Sequence, residues 1–198
     1  MILERLFEMG YKGDRNYIHG SDIFNETISW LILEKKDIRD IDFMFHRFAY
    51  SQLMAIVGST PPKHEIVATC TFTSSVACEK VYLTETIYPV ISRRPYPEDE
   101  MLKMMDFNLS ERRVLLHGEN SFSDIEQWVA LTKALHYKLF PKLSGKWIFV
   151  RGRFPDYFSH SKCQERSIIF VSEFNYKLTR CDALRDGTKV GEIYFSII

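Results

Sequence analysis

No segment of this chain is apolar for long enough to span a bilayer as a helix. Its start, MILERLFEMG, lacks the basic leader and apolar run of a secretory signal. Neither charge sign dominates. The 26 Lys and Arg balance 26 Asp and Glu, which argues against a broad electrostatic surface for nucleic acid. Cysteine is scarce, and Cys70, Cys78, Cys163 and Cys181 show neither CxxC nor mixed His/Cys ligand spacing. Reduced thiols are therefore expected, with no disulfide framework and no metal centre. A Gly-rich phosphate loop, a GxSxG elbow and an HExxH pair are all missing. These absences point to a soluble, cytoplasmic protein without a cofactor, a nucleic-acid partner or a membrane partner.

What is present is enough apolar material for a core. Forty-five per cent of the 198 residues are hydrophobic, so wholesale disorder is excluded, and the length suits one large domain or two small ones. The stretch RNYIHGSDIFNETISWLILEK (15–35) returns as RVLLHGENSFSDIEQWVALTK (113–133) at a constant shift of 98. Seven of the 21 positions are identical, among them His19/His117, Gly20/Gly118, Phe24/Phe122 and Trp30/Trp128. Weaker echoes follow: Arg47-Phe48 with Arg153-Phe154, and Ile66-Val67 with Ile168-Ile169. The chain reads as two copies of strand, helix and several strands. A unit of about 90 residues buries a limited share of its surface, so pairing two is physically sensible.

Along the chain, residues 1–13 suggest a short amphipathic helix with Ile2, Leu3, Leu6 and Phe7 on one face. Each copy then enters its helix from a short strand through a His-Gly corner. Ser21 or Asp22 is a suitable cap for the first helix, and Ile23 to Leu33 cover more than one stripe, which predicts that it is largely buried. The second helix is expected from about Ser123 to Phe140, opened by the capping-box pattern Ser123-x-x-Glu126. Residues 40–50, 64–75, 79–94, 146–154, 166–185 and 189–198 are rich in branched and aromatic residues and read as strands. Asp186-Gly187 signals a turn before the last of them. RRPYPEDEM (93–101) reads as a linker between domains 1–98 and 99–198.

A buried helix that follows one strand and is wrapped by an antiparallel sheet resembles the hotdog superfamily. Two copies resemble its double-hotdog arrangement, an α+β fold in which two helix-plus-sheet repeats form one continuous sheet around two central helices. That resemblance implies an acyl thioester of coenzyme A or acyl carrier protein as ligand. It implies 3-hydroxyacyl dehydration, enoyl hydration or thioester hydrolysis as reaction, and a monomer with an internal pseudo-dimer or a homo-oligomer. GDRNYIH (13–19) is similar to the enoyl hydratase pattern Gly-Asp-x-Asn-Pro-x-His, with Asp14, Asn16 and His19 in place and Tyr17 where proline belongs. The second copy has Arg112 in place of Asp14. Neither the PGHFPG stretch nor the HxxxGxxxxP pattern of related dehydratases occurs.

By this resemblance the thioester carbonyl sits at the amino end of the central helix. Free N–H groups and the helix dipole stabilise negative charge there, and Gly20 and Gly118 would allow close approach. The candidate catalytic residues are Asp14, His19, Asp22, Glu26, His117, Asp124 and Glu126, with Asn16, Gly20 and Gly118 as ligand contacts. Beside each stands a plainer role. The His-Gly corners suit capping, Asp14 suits a turn, the acids at helix starts suit the dipole, and Trp30 and Trp128 suit the core. His46-Arg47 and Arg151-Gly152-Arg153 suit either exposed sheet or carrier phosphates, and Arg93-Arg94 a solvated linker. A cystatin-like or NTF2-like cone is the alternative fold.

Overall fold

The structure, a computed structural model, describes residues 3–75, 77–118, 120–156, 163–175 and 177–198. It divides into two compact units, Met1–Tyr96 and Pro97–Ile198. In the first, the elements run β1 (Leu3–Phe7), β2 (Tyr11–Lys12), α1 (Gly20–Lys35), β3 (Ile38–Phe45), β4 (Ser51–Val57), β5 (Ile66–Ser74), β6 (Cys78–Pro89) and β7 (Arg93–Arg94). Five of these strands form a sheet in the order β1-β4-β6-β5-β3, antiparallel at every step. On β5, Val67 to Cys70 are buried in one run, and beyond them buried Phe72 and Ser74 alternate with half-buried Thr71 and Thr73. One side chain on β1 and one on β3 hold α1: Phe7 meets Trp30 edge-on at 5.9 Å, and Phe24 lies 5.3 Å from Phe43. The helix is buried through Leu31, but Leu33 is 73% exposed, so its apolar coat extends past its contacts.

The expected N-terminal helix is instead a strand. Leu3–Phe7 pairs residue for residue with Val57–Leu53 of β4, a strand the sequence pattern did not single out. Once β4 offers an unpaired edge, the backbone N–H and C=O groups of residues 3–7 are satisfied by the ladder rather than by a helix. Ile2, part of that expected helix, lies outside the described residues. The linker is also structured: β7 pairs in parallel with β2, and residues 98–103 are helical.

The second unit runs α2 (Glu98–Lys103), β8 (Met105–Asn108), β9 (Arg113–His117), α3 (Asp124–Leu139), β10 (Trp147–Asp156), β11 (Glu165–Phe174), β12 (Leu178–Arg185) and β13 (Thr188–Ile197). Its sheet order is β10-β13-β12-β11-β9-β8, again antiparallel. The expected segment 166–185 is a hairpin of two strands. Asp186 and Gly187 both take positive φ, 46° and 76°, and make the two-residue turn whose twist suits a hairpin. Trp128 stacks on Phe154 at 5.8 Å and donates its indole N–H to the Leu184 carbonyl at 3.2 Å. Both tryptophans are core residues, 2% and 1% exposed.

One buried polar residue went unnoticed in the sequence. His136 on α3 donates from Nδ1 to the Thr132 carbonyl, and its Nε2 meets the Thr179 hydroxyl, both at 2.6 Å. Trp147, Phe195, Phe140 and Phe170 surround the ring. Burial holds its pKa down to about 4, against 6.5 for the ordinary imidazole. Above pH 6.5 folded and unfolded chains are both neutral here. As pH falls from 6.5 through about 4, the unfolded chain takes up the proton first and stability is lost, by about 3 kcal/mol in all. Urea unfolding followed from pH 7.5 to 4 should show that loss, and His136→Gln should flatten it.

Candidate functional site

At the amino end of α1 the N-cap is His19, not Ser21 or Asp22, which lie inside the first turn. The His19 side chain makes no capping bond; its Nδ1 is hydrogen-bonded to the Ser21 hydroxyl at 2.7 Å. Its backbone carbonyl accepts from the Asp22 and Ile23 amides. The N-cap side chain thus gives nothing to the first amides of the helix, at the end where the dipole is positive. Residues 15–19, expected as a strand, form bends and irregular backbone, anchored where the Ile18 amide donates to Ala49 at 2.8 Å.

Asp22 is buried in this first turn, and two cations answer it. Lys12, itself buried on β2, places Nζ 2.6 Å from Oδ1, and Arg94 on β7 places Nη2 2.8 Å from the same oxygen. The parallel pairing of Lys12 with Arg94 is what brings both to one carboxylate. The second oxygen, Oδ2, is buried without a hydrogen-bond partner. Tyr96 completes the cluster: Lys12 Nζ lies 4.7 Å and the Arg15 guanidinium 5.2 Å from its ring centre, with the His19 ring at 5.6 Å. Asp14 and Asn16 are exposed on the turn after β2, and Glu26 is exposed on α1.

The second unit starts its helix differently. Gly20 opens α1, but Asp124 opens α3, 104 residues later, so the shift of 98 sets Gly118 six residues before its helix. His117-Gly118 therefore ends a strand and does not start a helix. The cause is local. Gly118 takes φ +87°, Asn120 accepts the Phe122 amide at 2.9 Å, and Gln127 donates back to the Phe122 carbonyl. Ser123 then forms the expected capping box: its hydroxyl accepts from the Glu126 amide, and Glu126 accepts from the Ser123 amide at 2.9 Å. Asp124 is gripped by Arg166 at 2.9 Å and Arg185 at 3.2 Å. His117 is mostly exposed, 4.0 Å from Glu165, which Arg113 binds at 2.6 Å.

The structure thus gathers His19, Gly20 and Asp22 at one helix start, and Asp124 and Glu126 at the other. It leaves His117 at a strand end. His46 and Arg47 follow β3. Burial and the nearby Lys80 charge lower the His46 pKa, and Arg47 is ion-paired with Glu85. Burial alone would raise the Glu85 carboxyl; the Tyr50 amide, Arg47 and the Ser51 amide outweigh it and hold it below the ordinary range. Arg151 lies 5.6 Å from the Tyr194 ring. Lys12, Arg94, Arg166 and Arg185 were not foreseen at these sites; nothing local marks them, since each reaches its aspartate through strand pairing or a long return of the chain. Among the described residues no cluster could hold a metal ion, and no helix is long and apolar enough to cross a membrane.

No family model and no curated protein sequence matches the chain. Solved structures do. A pyran synthase domain from module nine of the sorangicin pathway aligns over 99% of this chain and 92% of its own, with a TM-score of 0.52 and 8% identity. The dehydratase domain of PpsC from Mycobacterium tuberculosis, solved with C12:1-CoA, aligns over 100% and 93%, with a TM-score of 0.50 and 8% identity. The chain has the hotdog fold. A putative oleoyl thioesterase from Lactobacillus plantarum also aligns, over 100% and 96%, at 10% identity and a TM-score of 0.46. At such identities the likeness concerns the hotdog architecture and not the reaction.

Removing Asp22 from its buried pair with Lys12 should cost far more than breaking an exposed ion pair would. Asp22→Asn leaves Lys12 charged in a buried place, and unfolding in urea at pH 7 should show a loss of about 3–5 kcal/mol. A loss near zero would mean that Asp22 is not a structural anchor.

Proposed function

We propose that the chain binds acyl thioesters of coenzyme A or acyl carrier protein, each unit being one repeat of a double hotdog. The thioester carbonyl would sit at the amino end of α1. One contrast carries this reading. The N-cap side chain of α3 takes the Glu126 amide in a capping box, whereas the N-cap side chain of α1 caps nothing. A positive helix pole without an N-cap side-chain bond suits a carbonyl oxygen that gains negative charge, and Gly20 presents no side chain in its way.

His19 is then the base for dehydration of a 3-hydroxyacyl thioester. It takes the proton from C2, the C2–H electrons form the double bond, and the C3 hydroxyl leaves with a proton as water. Asp14, from the hydratase-like GDRNYIH stretch, is the acid on the neighbouring turn. Hydrolysis is less well served, because Asp22, Asp124 and Glu126 are each committed to cations or to a cap. The same commitments favour one second reading, a hotdog protein that binds thioesters without turnover.

The test is a fluorescence titration with a non-hydrolysable dodecanoyl-CoA analogue, run beside turnover of 3-hydroxyacyl and enoyl thioesters. Gly20→Val should weaken binding by about tenfold, or roughly 1.4 kcal/mol. His19→Ala should abolish turnover and leave the urea midpoint in place. Binding without turnover in the unaltered chain selects the second reading, and no saturable binding rejects both.

A further inference from the structure

The second unit carries a cleft at the opposite end of α3 from its capped start. Arg112, Leu139, Phe140, Phe170, Val171, Ser172 and Glu173 line about 390 Å³, within the range of roughly 300–1,000 Å³ typical of small-molecule sites. The 16 residues of α3 put this cleft about 24 Å along the helix from its amino end. It is separate from the helix starts to which the thioester reading belongs.

Its floor is apolar and its rim is charged with both signs. Phe140 and Phe170 meet edge-to-face at 5.6 Å beside Leu139. Val171 is pushed outward by a bulge between Phe170 and Ser172 on β11. The Ser172 hydroxyl oxygen is buried there without a hydrogen-bond partner, a state that costs free energy until something bonds to it. Arg112 stands in the left-handed region at φ 51°, clamped by its amide to Leu109 and its carbonyl to Phe170 at 2.9 Å. Its guanidinium lies 5.6 Å from the Phe170 ring. Glu173 is the exposed anion of the same rim, and no ion pair joins it to Arg112 among the described residues. The carboxyl end of α3 adds negative potential of its own.

A cation and an anion that face one apolar cleft without neutralising each other suit a ligand with both charges and an apolar body. We propose that this cleft binds a free apolar α-amino acid. Arg112 and the Ser172 hydroxyl take the carboxylate. Glu173 and the carboxyl pole of α3 take the ammonium, and Leu139, Phe140 and Phe170 receive the side chain. A monocarboxylate would meet Glu173 unanswered, and an amine would meet Arg112 unanswered.

The test is isothermal calorimetry of the full chain with L-phenylalanine, 3-phenylpropionate and phenethylamine. L-Phenylalanine should bind with a saturable isotherm, and each analogue lacking one charge should bind at least about tenfold more weakly. Arg112→Gln and Glu173→Gln, both at exposed positions, should each lose about tenfold for L-phenylalanine with an unchanged melting temperature. Equal binding of either analogue, unaltered binding by either variant, or no saturation up to about 10 mM would overturn the assignment.

Discussion

Each unit sets an aspartate in the first turn of its helix, buried in the first unit and half-buried in the second, and holds it with two cations: Asp22 with Lys12 and Arg94, Asp124 with Arg166 and Arg185. A carboxylate there is favoured by the helix dipole but penalised by the loss of water, a cost that positive partners offset. Much of the local architecture serves that requirement. In the first unit a two-residue parallel pairing of Tyr11–Lys12 with Arg93–Arg94 exists beside the helix start and delivers both cations. In the second, β11 and β12 each contribute one arginine from residues paired across the hairpin.

The two units meet the same demand and diverge in what remains open. In the second, the Ser123 hydroxyl takes the Glu126 amide and the Glu126 carboxylate takes the Ser123 amide, and Asn120 and Gln127 brace the turn ahead of them. In the first, histidine occupies the N-cap and contributes no capping bond. Similar sequence therefore does not mean similar geometry: the identical His-Gly pair starts a helix once and ends a strand once. The difference arises because a complete capping box six residues downstream offers the chain a better helix start than Gly118 does. Gly118 is then free to take the positive φ that ends β9.

Much of the fold was legible beforehand because its signals are local. The capping box of α3, the Asp186-Gly187 turn and the branched runs of β5, β10 and β13 depend on residues within a few positions of one another. The failures share a cause as well. Leu3–Phe7 has a helix-compatible pattern, and only the edge of β4 makes it a strand. Arg93 and Arg94 have the composition of a linker, and only pairing with β2 brings Arg94 to the buried Asp22. His136 is one histidine in a helix until Thr179, Trp147 and Phe195 close around it from distant strands.

Local sequence thus specified the two long helices, most strands and the candidate histidines and acids, because capping, turn chemistry and side-chain alternation act over short spans. Tertiary structure alone decided which of those residues meet. It set His19 at the α1 start without a capping bond, tied Asp22 and Asp124 to cations delivered by strand pairing, and left His117 at a strand end. Charge pairing and burial are long-range, and a pattern confined to one segment carries no record of the partner that another segment will bring.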